Sequence, residues 1–193
     1  MLKITFFFVF YFAIILIYEV ISGKKQKVHH TAGYWVLKAA FYIYVLLLVK
    51  VTIFPIPFQK SELEGLRRSF GEGFGMNFIP MKSIMNIANS NVNLSTKFRQ
   101  IAGNFILLFP LGLYLPLAKD RFRKAKEVFA LLLISACFIE MVQFLIGRII
   151  HYNYRVVDID DVILNVCGGI VGFFVWKIAN KYFAKIEMTY KSN

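Results

Sequence analysis

The chain has 193 residues, of which 58% are hydrophobic, with 21 phenylalanines and a mean hydropathy of +0.60. Several apolar runs are about 20 residues long, the length that an α-helix needs to cross a bilayer, so the composition excludes an ordinary water-soluble domain and predicts one compact membrane domain. The net charge of +12 does not indicate nucleic-acid binding, because the lysines and arginines flank the apolar runs instead of forming one basic face.

The first two apolar runs predict two membrane spans. Leu2–Ile21 is interpreted as a retained N-terminal helix within residues 1–23. A cleaved signal peptide is the alternative, but no A-x-A-like site follows the run, and the stronger positive charge lies after it. Tyr34–Phe54 is the second predicted span, which Pro55 and Pro57 end.

A long polar connection, Phe58–Gln100, separates the second span from the third. Its charged stretch Glu62–Arg68 and its glycines predict surface structure without a core of its own. The glycines do not form a phosphate-binding loop, because no strand precedes them and no G-K-[ST] follows. We hypothesise that the semi-apolar piece Asn77–Pro80, NFIP, returns to the membrane surface.

The third predicted span, Ile101–Leu117, is interrupted by Pro110. Proline lacks the N–H that would bond the carbonyl of Ile106, so the sequence predicts a kink at this point. Asn104 lies near the start of the span. It is expected either to form an interhelical hydrogen bond or to belong to a functional site.

The fourth predicted span, Val128–Leu145, carries Glu140 and Gln143 on one helical face, which should point into the bundle. Cys137 lies in this span and Cys167 in the next, and both are interpreted as small core residues. No cysteine or histidine has metal-ligand spacing, so the sequence predicts neither a metal site nor a cofactor.

The fifth predicted span runs from about Asp158 to Tyr182 and opens with three aspartates. Helix capping explains one or two of them, because carboxylates suit the positive end of a helix dipole. A helical repeat also places five residues of this span on one stripe, which predicts a packing face that begins polar and continues as a G-x-x-x-G contact. These residues are Asp158, Asp161, Asn165, Gly168 and Gly172.

Polar side chains in and beside the last two spans predict a functional site, because a charged side chain costs roughly 3 kcal/mol inside a bilayer. Antiparallel spans bring Asn104, Glu140 and Asp161 to the same side of the membrane. Catalytic candidates are Glu140, Asp158 and Asp161. The predicted ligand-binding residues are Asn104, Glu140, Gln143, Arg155, Asp158, Asp161 and Asn165.

Basic residues predict the orientation of the spans. They are densest in the loops Lys24–Lys27 and Lys119–Lys126 and in the C-terminal tail. The positive-inside rule therefore predicts a cytoplasmic tail, residues 183–193, and a polar site on the outer side.

Three stretches of the chain closely resemble the VanZ-like family: NFILLFPLGLYLP at 104–116, EMVQ at 140–143 and DIDDVILNVCGGIVG at 158–172. The resemblance covers residues 34–182 and implies a four-helix VanZ-like core. With the N-terminal helix, the expected fold is an all-α membrane protein, a bundle of about five transmembrane helices. The resemblance also implies a multi-pass protein of the bacterial cell membrane, linked in at least one member to susceptibility to the glycopeptide teicoplanin.

Three classes of function stay open. In the first class, the polar cluster is a recognition pocket for a lipid-linked cell-wall precursor or a glycopeptide. In this class, Arg155 offers a fork to a carboxylate or phosphate, and the carboxylates pair with an amine or with Arg155 itself. The side chains that orient polar groups of the ligand are Asn104, Gln143 and Asn165. In the second, it is the site of an intramembrane enzyme, in which Glu140 exchanges a proton while Asp158 or Asp161 stays ionised. A proton-coupled carrier is the third class, although inverted repeats and broken mid-membrane helices are not evident.

Overall fold

The structure is a computed structural model that describes residues 13–15, 17–18, 21, 31–71, 73 and 75–183. Within these residues, four helical segments are long and apolar enough to cross a bilayer: Ala32–Ile53, Leu94–Ala118, Ala125–Ile149 and Ile159–Asn180. The predicted helical membrane fold is therefore confirmed. The predicted first span lies largely outside the described residues and the tail after residue 183 entirely so, and the count of about five spans stays a prediction.

Helices dominate the chain, and two very short strands join distant parts of it. In chain order the elements are α1 (Ala32–Ile53), α2 (Lys60–Phe70), β1 (Met76–Asn77), α3 (Lys82–Asn89), α4 (Leu94–Leu107), α5 (Phe109–Ala118), a 3-10 turn (Asp120–Arg123), α6 (Ala125–Ile149), β2 (Val157–Asp158) and α7 (Ile159–Phe183).

Helix α7 lies at the centre of the bundle and packs against α4, α5 and α6. Its glycines allow this packing: a Cβ added at Gly168 would overlap the carbonyl oxygen of Phe105, and one at Gly172 would overlap that of Phe109. The predicted small-residue contact is therefore confirmed. An apolar core surrounds it, in which Leu108 and Leu132 are fully buried.

The third span is broken between α4 and α5, as Pro110 predicts. Leu108 separates the two helices with φ −100° and ψ 2°, and Pro110 occupies the first turn of α5, where its missing N–H costs nothing. The Tyr44 hydroxyl donates to the carbonyl oxygen of Leu107 at 2.9 Å, which gives the break a polar partner on α1.

The start of the third span differs from the prediction of Ile101. Helix α4 begins at Leu94, because the Asn93 side chain accepts a hydrogen bond from the amide of Thr96 and caps the helix. The added turns are polar, so hydropathy alone misses them. Asn104 consequently lies about three turns inside the helix instead of near its start.

The long connection is surface structure, as predicted, and no residue of α2 or α3 is buried. It nevertheless docks on the bundle, because β1 pairs in parallel with β2, with Asn77 opposite Asp158. Asn77 is buried, whereas Phe78 and Ile79 are exposed. The return of this piece to the membrane surface stays a prediction.

The prediction that the two cysteines are core residues is wrong, since Cys137 and Cys167 are both exposed on the surface of the bundle. Successive residues of a helix point about 100° apart. Ala136 and Glu140 form the inward face of α6, so Cys137 is turned towards its outer surface. An apolar span therefore does not reveal which of its residues face the protein.

Candidate functional site

A cavity of about 670 Å³ lies where α1, α3, α4, α6 and α7 meet. The structure brings together here the polar residues of the third, fourth and fifth predicted spans, as the alternation of helices predicts. All seven predicted ligand-binding residues line this cavity: Asn104, Glu140, Gln143, Arg155, Asp158, Asp161 and Asn165. Their role in binding stays a prediction.

Asp160 holds α3 over the cavity. Its side chain is almost completely buried and accepts hydrogen bonds from the amides of Met81 at 2.5 Å, Ser83 at 2.8 Å and Ile84 at 3.2 Å. These amides belong to the N-terminal end of α3, where unpaired N–H groups and the positive end of the helix dipole favour a carboxylate. Asp160 is thus the cap of a helix that lies far from it in the sequence.

Asp158 connects β1, α6 and α7. Its Oδ1 accepts from Asn77 Nδ2 at 2.8 Å and from the amide of Asp160 at 2.9 Å, which caps α7. Its own amide donates to Glu140 Oε2 at 3.0 Å. Asn77 Nδ2 also lies 3.1 Å from the Ser83 hydroxyl oxygen. Asp158 and Asp160 are therefore occupied in building the wall of the cavity.

Glu140 and Asp161 differ from these two aspartates, because each carboxylate accepts only one hydrogen bond within the described part of the chain, against two for Asp158 and three for Asp160. Glu140 accepts the Asp158 amide through Oε2, and Asp161 accepts Asn104 Nδ2 through Oδ1. The other oxygen of each makes no hydrogen bond within the described part of the chain. Asn165 is 1% exposed, and its buried Oδ1 also has no partner among the described residues. Oδ2 of Asp158 likewise accepts no hydrogen bond in the described part of the chain, so four acceptor atoms stay available around one cavity.

Polar side chains attach the C-terminal end of α1 to this site. Gln143 Nε2 donates to the carbonyl oxygen of Thr52 at 2.8 Å, and the Tyr154 hydroxyl donates to that of Ile53 at 3.1 Å. Burial raises the pKa of the Tyr154 phenol, and the neighbouring Arg155 guanidinium partly offsets that rise. The phenol consequently stays protonated at neutral pH and remains a donor.

One of the predicted alternatives, in which Arg155 pairs with a carboxylate, is wrong. Its Nη2 donates to the carbonyl oxygens of Val51 at 3.0 Å and Phe54 at 2.9 Å. These carbonyls carry the negative end of the α1 dipole, which attracts a guanidinium. Among the described residues no ion pair joins Arg155 to an acid, and its buried Nε has no partner.

The described ranges contain no group of three or more His, Cys, Asp or Glu side chains that could hold a metal ion. His151 lies in an exposed turn, where its carbonyl oxygen accepts a hydrogen bond from Arg67 Nη2 at 2.8 Å. It does not line the cavity. The polar chemistry of the cavity is that of carboxylates, amides, hydroxyls and two guanidinium groups.

Asp160, Asn77 and Ser83 are absent from the predicted site. No local signal identifies Asn77 or Ser83, because their partners Asp158 and Asp160 lie 81 and 77 residues later in the chain. The helical stripe that contains Asp158 and Asp161 leaves Asp160 out, and no local pattern indicates that Asp160 caps a distant helix.

Fold and cavity together define a multi-pass helical membrane protein with a partly enclosed polar site between its spans. The VanZ/LLP1 family model matches residues 41–180, so the chain belongs to this family. The matched region contains all three motifs that carry the resemblance, which is thereby confirmed. Comparison with curated proteins and with solved structures gives no match.

Proposed function

We propose that this chain binds the polar head of a lipid-linked or cell-wall ligand at the outer face of the membrane and thereby influences susceptibility to glycopeptides such as teicoplanin. One observation carries the proposal: Glu140, Asp161 and Asn165 keep unpartnered acceptor atoms around a cavity of about 670 Å³. Ligand-binding cavities in proteins commonly measure about 300–1,000 Å³. Polar groups left unpaired inside a membrane domain are costly, so a functional site is the default hypothesis for them.

The lining residues divide into two sets that support this role. Asp158 and Asp160 hold the wall, because their oxygens accept hydrogen bonds from the Asn77 side chain on β1 and from backbone amides of α3 and α7. Glu140 and Asp161 supply acceptors to a ligand, and the unpartnered Nε of Arg155 supplies a donor. Positive charge in the loops favours an outward-facing cavity, since the positive-inside rule assigns the basic tail to the cytoplasm.

The test expresses the full chain in a teicoplanin-susceptible Gram-positive host. Wild-type protein should raise the teicoplanin concentration that stops growth, and Glu140→Gln and Asp161→Asn should abolish the gain. Each change nearly preserves shape but removes the ionisable oxygen. Cys137→Ala, on the exposed surface of α6, is the matched control and should keep the gain.

Membrane abundance of each variant is measured alongside growth, so that loss of the protein is distinguished from loss of its action. Unchanged susceptibility with wild-type protein would remove the antibiotic part of the proposal. Full activity of both carboxamide variants would contradict a role for the two carboxylates.

A second candidate is an intramembrane acid/base enzyme that acts on a lipid or cell-wall precursor. It is favoured by the two carboxylates that line one cavity and each keep an available oxygen, since acid/base work uses such pairs. Incubation of the purified protein with lipid-linked cell-wall precursor, followed by mass spectrometry of the lipid, separates the two. A new mass would establish catalysis, and retention of unchanged precursor supports recognition.

A further inference from the structure

We infer that the group held by Glu140, Asp161 and Asn165 is a primary ammonium group. This inference rests on the proposed binding role of the cavity and names the chemistry of the ligand. A primary ammonium group has three N–H donors and no acceptor. Three of the unpartnered acceptors around the cavity can meet these donors: the second oxygen of Glu140, the second oxygen of Asp161 and Oδ1 of Asn165.

The three acceptors belong to one small region. Asp161 and Asn165 are four residues apart on α7 and therefore lie on the same helical face. Glu140 is joined to the start of that helix, because its Oε2 accepts the amide of Asp158 at 3.0 Å. We therefore expect a cation bound at Asp161 to lie on the helical face that carries Asn165 and beside the helix start that Glu140 contacts.

The charge around the cavity favours a cation. Four carboxylates line it, against the two guanidinium groups of Arg99 and Arg155. Arg99 is exposed, so solvent screens its charge, and Arg155 already donates to the carbonyl oxygens of Val51 and Phe54. The C-terminal end of α1, which carries the negative end of its dipole, also borders the cavity.

Donors that could hold an anion in this place are mostly committed. Asn104 donates to Asp161, and Gln143 donates to the carbonyl oxygen of Thr52. A phosphate or carboxylate alone would meet unpartnered oxygens of like charge, which is unfavourable in a medium of low dielectric constant. If the same ligand carries an anionic group next to its amine, the unpartnered Nε of Arg155 can donate a hydrogen bond to that group.

The test compares two fluorescent lipids that differ only at nitrogen. The full chain is purified in detergent and titrated with acyl-labelled phosphatidylethanolamine and with its N-acetyl derivative, which lacks the charge. The amine should bind at least about tenfold more tightly, the range expected for charge-assisted hydrogen bonds. Glu140→Gln and Asp161→Asn should each reduce this preference about fivefold or more, whereas Cys137→Ala should preserve it.

Competition identifies the source of the amine. Displacement by dodecylamine but not by O-phosphoethanolamine at the same concentration supports the inference with a lipid as ligand, and displacement by both supports it with a soluble amine. Equal binding of the amine and N-acetyl lipids to wild-type protein would overturn the inference, and this result does not depend on the folding of any variant. Equal binding of the two lipids together with a gain of teicoplanin tolerance would refute the ammonium group alone. A preference for the amine lipid without a gain of tolerance would refute only the antibiotic role.

Discussion

Replacing Asp160 with alanine should release the N-terminal end of α3 from the bundle. The side chain accepts three backbone hydrogen bonds, and summing them at about 1.5–3 kcal/mol each, as for charged partners, gives about 5–9 kcal/mol. This sum is too large, because no residue of α3 is buried and the freed amides can bind water. The value for losing a helix cap, about 2 kcal/mol at most, applies instead.

Hydrogen exchange followed by mass spectrometry measures this loss directly. In Asp160→Ala the amides of Ser83 and Ile84 should exchange up to about 30-fold faster, which is the equivalent of about 2 kcal/mol. Asp160→Asn keeps one acceptor oxygen and should cost about half as much. Asp120→Ala is the control, because the side chain of Asp120 is 86% exposed and should contribute little. Exchange of α3 within about threefold of wild type in Asp160→Ala would refute the capping role.

Two further predictions concern the bundle and its orientation. Gly168→Ala should destabilise the protein in detergent by about 1–3 kcal/mol, because the new Cβ overlaps the Phe105 carbonyl oxygen, whereas Gly103→Ala meets open space and should melt near the wild-type temperature. Equal melting temperatures for both variants would contradict the close helix contact. Cysteines introduced at the exposed His151 and at Ser192, in a background without native cysteines, should react with an impermeant maleimide from opposite sides, His151→Cys from outside. Labelling of both from one side would refute the predicted orientation.

Hydropathy and local chemistry predict much of the bundle. Apolar length alone identifies the four described spans, because a helix is the structure that pairs every backbone group inside a bilayer. Pro110 predicts the break in the third span, and Gly168 and Gly172 predict the face of α7 that meets α4 and α5. These signals are local, since each depends on one residue or one helical repeat.

The parts that the sequence does not reveal depend on distant partners. Asp160 binds amides that lie 76–79 residues earlier in the chain, and no local pattern indicates such a pair. Arg155 similarly finds carbonyl oxygens of α1, 101–104 residues away, instead of the nearer carboxylates. The outward position of Cys137 was missed for a related reason: in lipid, both faces of a span are apolar, so hydropathy does not distinguish them.

The attachment of α1 has a consequence for how the protein is made. Its last carbonyl oxygens bind side chains that follow 91–104 residues later, so these partners do not yet exist when α1 leaves the ribosome. Unpaired carbonyls are costly in hydrocarbon. We therefore expect the C-terminal end of α1 to stay in contact with water during synthesis, until the loop before α7 supplies Tyr154 and Arg155 as partners.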